Sequence, residues 1–325
     1  MRTIDNEKND VVNGILNYSK AMVDEIIVDK GVFYPDEFRV LLYLIYAGMI
    51  SHYGVEEAQT ICDTFTKIQF VYIKDNDYDV LSEVKNLSEK DKSIIRNRYI
   101  PAFCNTLVSW VELDDGTFEF QSMQYTVYAF NNDNRSLAVL LEMVTHEINH
   151  VVNSIKKPYD EINGFTRIGL QKTYVCDETT SAFVFEEAIN ELQTVDIINN
   201  ILVFTNYDID NREVSNMLSL LKNETGGQKL EGLGYRDICP IIKPLYDNYE
   251  LCEILRNGRL SGEFDEMIGK FDAVLDVEGA YDDLLQKSDE LVGMYYNNTC
   301  FSENIRKLRV LDRAVKQYTK QRLNK

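Results

Sequence analysis

The chain has 325 residues, 45% of them hydrophobic, and its 53 acidic against 34 basic side chains leave a formal net charge of -19. So acidic a surface excludes nucleic-acid binding as the main activity, because contacts to phosphates need a basic face. A chain of this size buries a large core as one big domain or two lobes, and with 16 Gly, 5 Pro and no low-complexity linker it is expected to be globular.

The first fourteen residues join no basic region to an apolar core, so no secretory signal is expected. The most apolar run, Val40 to Ile50, is too short to span a bilayer, and no membrane role is expected either. The cysteines Cys62, Cys104, Cys176, Cys239, Cys252 and Cys300 are scattered without a CxxC pair. That suits free thiols in a reducing compartment, and a cytoplasmic location is the expectation.

In chain order, Val11 to about Phe65 reads as two or three helices, the second starting near Asp36 and ending around His52 and Gly54. His52 is read as a helix C-terminal residue facing the last carbonyls rather than as a metal ligand. Ile68 to Ile73 and Thr106 to Leu113 read as strands. Asp115-Gly116 signals a hairpin, and Thr117 to Gln121 with Tyr125 to Phe130 complete a small sheet. Asp75 to Asp79 opens like a calcium loop but has Val80 where a glycine is needed and Asn86 in place of the closing acid, so it reads as a solvated turn.

Ser136 to Asn153 contains no Pro or Gly, and its apolar residues recur at three- and four-residue spacings, which predicts a helix capped by Asp133, Asn134 or Ser136. Within it lies His146-Glu147-Ile148-Asn149-His150. An HExxH pentad on a helix sets two imidazoles one turn apart on one face with a carboxylate between them, an arrangement that binds zinc and activates water.

Gly164 to Val175 reads as a hairpin, and from about Ser181 to Asn200 a periodic, Pro-free run predicts a second helix. On it Glu187 and Glu191 are i and i+4, so one carboxylate can ligate the metal while the other accepts the free N–H of a ligating histidine. Beyond this nearly everything reads as helical, with breaks at Asn206 to Asn211, at the loop of Gly226, Gly227, Gly232 and Gly234, and near Gly258 to Gly262. Gly232-Leu233-Gly234 lacks the third glycine and preceding strand of a dinucleotide site. The last twenty residues, Arg306 to Lys325, carry eight Lys or Arg against the single Asp312 and are expected to dock as a helix on the acidic body.

His146 to His150, followed 37 positions later by Glu187 within Glu186-Glu187-Ala188-Ile189-Asn190-Glu191, resembles the gluzincin pattern of zinc metallopeptidases, the thermolysin-like group. The likeness covers about 60 residues, Ser136 to Ile198. It implies Zn²⁺ held by His146, His150 and Glu187, with Glu191 orienting His146 and Glu147 acting as general base in peptide hydrolysis. Glu186 stands where the pattern has Asn, and Asn190 where it has Ser. The likeness also implies an α+β, zincin-like fold: residues 1–153 as an N-terminal lobe with a small mixed sheet and the HExxH helix, and 154–325 as a mainly helical lobe carrying the third ligand. In that fold an edge strand pairs with the substrate, and Tyr125 to Phe130 is the candidate. Gluzincins often hold the developing oxyanion with a later Tyr or His; no histidine follows His150, and Tyr235 is the candidate, with Tyr174, Tyr246 and Arg167 as competitors.

Three functional classes follow from these residues. The chain is read first as a zinc metallopeptidase acting on a peptide or protein substrate. A catalytically inactive or non-peptidase zinc-binding protein comes second, and a helical regulatory protein with an incidental pentad third.

Overall fold

Two small sheets lie among helices of very different lengths, an α+β arrangement, in the computed structural model, which describes residues 2–74, 77–84, 87–98, 100–114, 118–131, 136–160, 164–174, 180–230, 232, 234–296 and 301–323. The chain forms two compact units. Unit 1 comprises Met1–Ser109, Ser122–Asn149 and Thr194–Glu231, and unit 2 comprises Trp110–Gln121, His150–Gln193 and Gly232–Lys325. One passage from the first to the second falls between Asn149 and His150.

Unit 1 is organised by helix α2 (Asp36–Tyr53), which starts with two acids in its first turn and is buried almost all round from Phe38 to Ile50. A side chain at Gly48 would meet the Cγ1 of Ile201 at 2.6 Å, so this glycine admits a close helix contact. His52 lies in the last turn of α2 with its ring edge-to-face on Tyr53. Helices α1 (Arg2–Asp29) and α3 (Ala58–Lys67) pack on α2. Next come strand β1 (Ile68–Lys74), helix α4 (Glu89–Arg98), and strands β2 (Ala102–Glu112) and β3 (Phe118–Asn131). The sequence reading named no helix at α4, although Ser88 and Asp91 form a capping pair there, the Asp91 amide donating to the Ser88 hydroxyl at 3.1 Å.

The sheet order β1-β3-β2 corrects one expectation. Tyr125 to Phe130 belongs to β3, the central strand, which runs parallel to β1 from Ile68 opposite Tyr125 to Lys74 opposite Asn131. Its backbone is engaged on both sides and cannot pair with a substrate; β1 and β2 are the edges.

Helix α5 (Leu137–Val152) follows β3 and buries Leu140, Leu141, Val144, Ile148, Val151 and Val152. Its cap comes from far along the chain. Glu224, at the end of helix α7 (Arg212–Thr225), accepts from the Ser136 hydroxyl at 2.7 Å and from the Leu137 and Ala138 amides at 3.1 and 2.9 Å. Ser136 thus donates to the capping carboxylate instead of capping the helix itself, and the other two cap candidates, Asp133 and Asn134, lie outside the described residues.

From His150 on, unit 2 carries strands β4 (Tyr159–Asp160), β5 (Phe165–Ile168), β6 (Gln171–Tyr174) and β7 (Thr180–Ser181), antiparallel in chain order. The expected hairpin forms as β5 and β6; Val175 lies outside the described residues. Helix α6 (Phe183–Val203) follows, then α8 (Cys239–Tyr246), α9 (Tyr249–Ser261), α10 (Phe264–Leu275), α11 (Ala280–Asp289), α12 (Val292–Tyr296) and α13 (Phe301–Leu323). Phe185, Ala188 and Ile189 of α6 share a core with Ile242, Leu255, Phe271, Leu284 and Leu311. The basic segment docks through its apolar face: Leu311, Ala314 and Val315 of α13 join that core, while Arg306, Arg309, Arg313, Lys316 and Lys320 stay exposed. Among the described residues, the apolar face is what this helix contributes to the core. Among the described residues no helix is long and apolar enough to cross a membrane.

Replacing Glu224 by Ala should cost about 1 kcal/mol, the usual worth of a helix cap. Burial by itself would raise the Glu224 carboxyl, but the Ala138 amide, the Ser136 hydroxyl and the Leu137 amide hold it below the ordinary carboxylate range. A depressed carboxyl stabilises the fold above its unfolded pKa of about 4.3 and loses that contribution as pH falls through its lower folded value. Urea unfolding at several pH values should show wild type and Glu224→Ala separated at neutral pH and converging in acid.

Candidate metal centre

Two helices bring the functional residues together. On α5, His146 and His150 are one turn apart and both buried, at 3% and 6% exposure. On α6, Glu187 turns its carboxylate to them, so that one ligand atom from each of His146, His150 and Glu187 lies within 4.8 Å of the others. The Nε2 of His150 and the Oε2 of Glu187 are 3.4 Å apart. Ligand atoms at 2.0–2.1 Å on a tetrahedral metal are separated by about 3.3–3.4 Å, so this pair already stands at the edge length of such a coordination sphere.

The imidazole of His150 is held from behind. Its Nδ1 is 3.0 Å from the Oε1 of Glu186, a side chain with no solvent exposure. Glu186 in turn accepts from the Leu170 amide at 2.8 Å, from the Arg259 Nε at 2.9 Å and from the Arg259 Nη2 at 2.5 Å. A carboxylate so engaged only accepts, which places a proton on the His150 Nδ1 and turns Nε2 toward Glu187. Burial pushes the Glu186 carboxyl up, yet the Arg259 charge and the His150 hydrogen bond overcome it and hold the group below the ordinary range. Gly169 makes room for it: at φ 58° it adopts a left-handed turn, and a Cβ there would fall 2.1 Å from the Glu186 Oε1.

Glu147 is half-buried, and its Oε2 accepts from the Cys104 amide of strand β2 at 2.8 Å. This contact ties the carboxylate of the pentad to an edge strand of the sheet. The Cys104 thiol is pushed well above its ordinary pKa by burial first and by the Glu147 charge second. Asn149, also in the pentad, accepts from the Tyr53 hydroxyl at 2.6 Å and serves packing.

Glu191 lies one turn beyond Glu187, and its Oε1 accepts from the Gly234 amide at 2.8 Å. Tyr235, next in the chain, has φ 45°, an outlier for a bulky residue, and its carbonyl accepts from the Ile238 and Cys239 amides to start the turn into α8. The Cys239 thiol donates to the Ala188 carbonyl at 3.8 Å, and burial, followed by the charges of Glu191 and Glu187, pushes its pKa up to about 12. The turn from 234 to 239 therefore lies along the Glu187 and Glu191 side of α6.

The other candidates for holding an oxyanion have structural places. Tyr246 is buried in the core, Tyr174 packs edge-to-face on Phe165, and the buried Arg167 guanidinium donates to the carbonyls of Lys157, Gly169 and Arg259. The sequence reading did not single out Arg259. A signal lay in α6 itself, where the polar Glu186, Asn190 and Gln193 recur at i, i+4 and i+7 on one face and so call for a polar partner.

Comparison with protein-family models, with curated proteins and with solved structures finds no match in any of the three.

Dialysed against a divalent first-row metal and desalted, the protein should retain one ion per chain by elemental analysis. His146→Ala, His150→Ala and Glu187→Ala should each abolish that retention while the far-ultraviolet circular dichroism stays unchanged.

Proposed function

We propose that the chain is a zinc-dependent metallopeptidase of gluzincin type with a zincin-like fold. The observation that carries the reading is the convergence of His146, His150 and Glu187 with Glu147 on the same helix as the two histidines. Two imidazoles and one carboxylate suit zinc, and three protein ligands leave a coordination position open, as catalytic sites do and closed structural sites do not. Bound there, zinc supplies Lewis-acid polarisation of a carbonyl and lowers the pKa of water toward neutrality.

The remaining work falls to the chain's own residues. Glu147 takes a proton from the attacking water and passes it to the departing amine nitrogen, general base and then general acid. Its Oε2 accepts from the Cys104 amide, which holds the carboxylate in place for that work. The same amide marks strand β2 as the edge nearest the catalytic carboxylate. An extended peptide adding to β2 would bring a scissile bond beside Glu147, which moves the substrate-binding role from Tyr125–Phe130 to β2. Glu191, anchored by the Gly234 amide, is the acid assigned to orient the His146 ring.

Tyr235 donates its hydroxyl to the developing oxyanion. Support comes from its left-handed backbone beside the Glu191 anchor, because strain of this kind is kept where the surrounding structure over-determines it. The free thiols of Cys62, Cys104, Cys239 and Cys252 accord with a cytoplasmic enzyme.

Digestion of a peptide library by the zinc-loaded protein, read by mass spectrometry, tests the reading. Cleavage is expected, with Glu147→Gln keeping its zinc and losing about 10²- to 10⁴-fold in kcat. Tyr235→Phe should lose about 10²- to 10³-fold in kcat with KM little changed. A protein that holds zinc through His146, His150 and Glu187 yet cleaves nothing would overturn the peptidase reading in favour of a non-catalytic zinc-binding role.

A further inference from the structure

Glu186, Asn190 and Gln193 stand at i, i+4 and i+7 and so share one face of α6. All three are fully buried, where a face of this kind is ordinarily apolar. A carboxylate sealed from water needs a cationic partner and saturated hydrogen bonds, or it loses its charge. One side chain meets the whole face. Arg259 of α9, itself without exposure, donates through Nε and Nη2 to the two oxygens of Glu186, through Nη2 to the Asn190 Oδ1 at 2.8 Å, and through Nη1 to the Gln193 Oε1.

We infer that Arg259 is a positioning residue for two of the metal ligands, His150 and Glu187. The inference rests on the metal-site reading above.

The first arm runs through Glu186. Its Oε1 is shared between the Arg259 Nη2 and the His150 Nδ1, so the guanidinium fixes the point from which the imidazole is oriented. The second arm runs through the helix. A planar guanidinium fork that grips three residues of one face prevents α6 from rotating about its axis, and Glu187 is the neighbour of Glu186, about 100° further round. The direction of Glu187 toward His150 is set by that grip. Position 186 is also where the chain departs from the gluzincin-like pattern, with Glu for Asn, as is position 190, with Asn for Ser. Both departures meet the same arginine.

A purely stabilising role accounts poorly for this choice. Buried ion pairs are often no better for stability than apolar residues of similar volume, and α6 has apolar neighbours on its other faces. The polar cluster is instead confined to the turns of α6 that carry Glu187 and Glu191, and it reaches His150 directly.

The test measures the zinc dissociation constant by competition with a chelator, together with thermal unfolding of the metal-free protein, for wild type, Arg259→Lys and the double variant Glu186→Gln with Arg259→Met. The double variant removes both charges at once, so it leaves no buried ion unpaired and should keep the metal-free fold. Both variants are expected to bind zinc about 10- to 100-fold more weakly than wild type while folded. Folded variants with the wild-type zinc constant would overturn the positioning role. Should the double variant fail to fold, Arg259→Lys, which keeps the charge and loses the fork, decides alone. Wild type that binds no zinc would remove the metal-site reading and this role with it, whereas zinc held equally by all three proteins removes the positioning role only.

Discussion

The contact between Glu186 and Arg259, both closed to water, is the constraint on which the rest of the site depends. A buried carboxylate is tolerable only while its oxygens are occupied, and here the guanidinium, the Leu170 amide and the His150 ring occupy them together. Loss of any one partner would leave the others short of a bond in a medium where water cannot substitute. The ring of His150 is consequently held at both nitrogens, by Glu186 behind and Glu187 in front. A ring fixed in this way is ordered in advance of any partner at its other nitrogen.

The cost of the arrangement is visible in α6. A helix at the centre of a core would be most stable with an apolar surface, yet this one carries Glu186, Glu187, Asn190, Glu191, Gln193 and Thr194 in buried positions. Their stability contribution is modest at best, because hydrogen bonds inside the fold mostly replace hydrogen bonds to water. Backbone strain gathers nearby as well. Ala182, at φ 62°, precedes α6 and donates its amide to Asp289 at 2.9 Å, and Tyr235, at φ 45°, follows the glycine that holds Glu191. Local preference yields to site geometry at these positions, which is where a sequence is expected to break its own structural rules.

What could be read from the sequence was local in character. The pentad is five consecutive residues, and the pairs His146 with His150 and Glu187 with Glu191 follow from helical periodicity alone, so their faces were legible before any coordinates. The contacts that complete the site join distant parts of the chain. Arg259 is 73 residues from Glu186, Glu224 is 87 from the Leu137 amide that it caps, and Cys104 is 43 from Glu147. No periodicity connects such positions. The role of β3 was hidden for a related reason: its alternation shows that one face is buried, while its parallel partner β1 lies before α4 and β2 in the chain. The terminal helix α13 was legible as basic and helical, while its docked face is the one that carries Leu311, Ala314 and Val315.

Residues 186 and 259 are physically coupled, and this bears on how the motif is recognised at all. With Asn at 186 and Arg259 retained, the guanidinium would lose its only carboxylate partner among the contacts described here and stay charged in the core. With Glu186 retained and an apolar side chain at 259, the carboxylate would face His150 and the Leu170 amide without a counter-charge. Either single change leaves a buried group short of its partner. Glu186 and Asn190, the two positions that differ from the gluzincin-like pattern, both meet Arg259 on α9. A pattern written over α5 and α6 alone would score these residues as defects, although their side chains converge on a single partner.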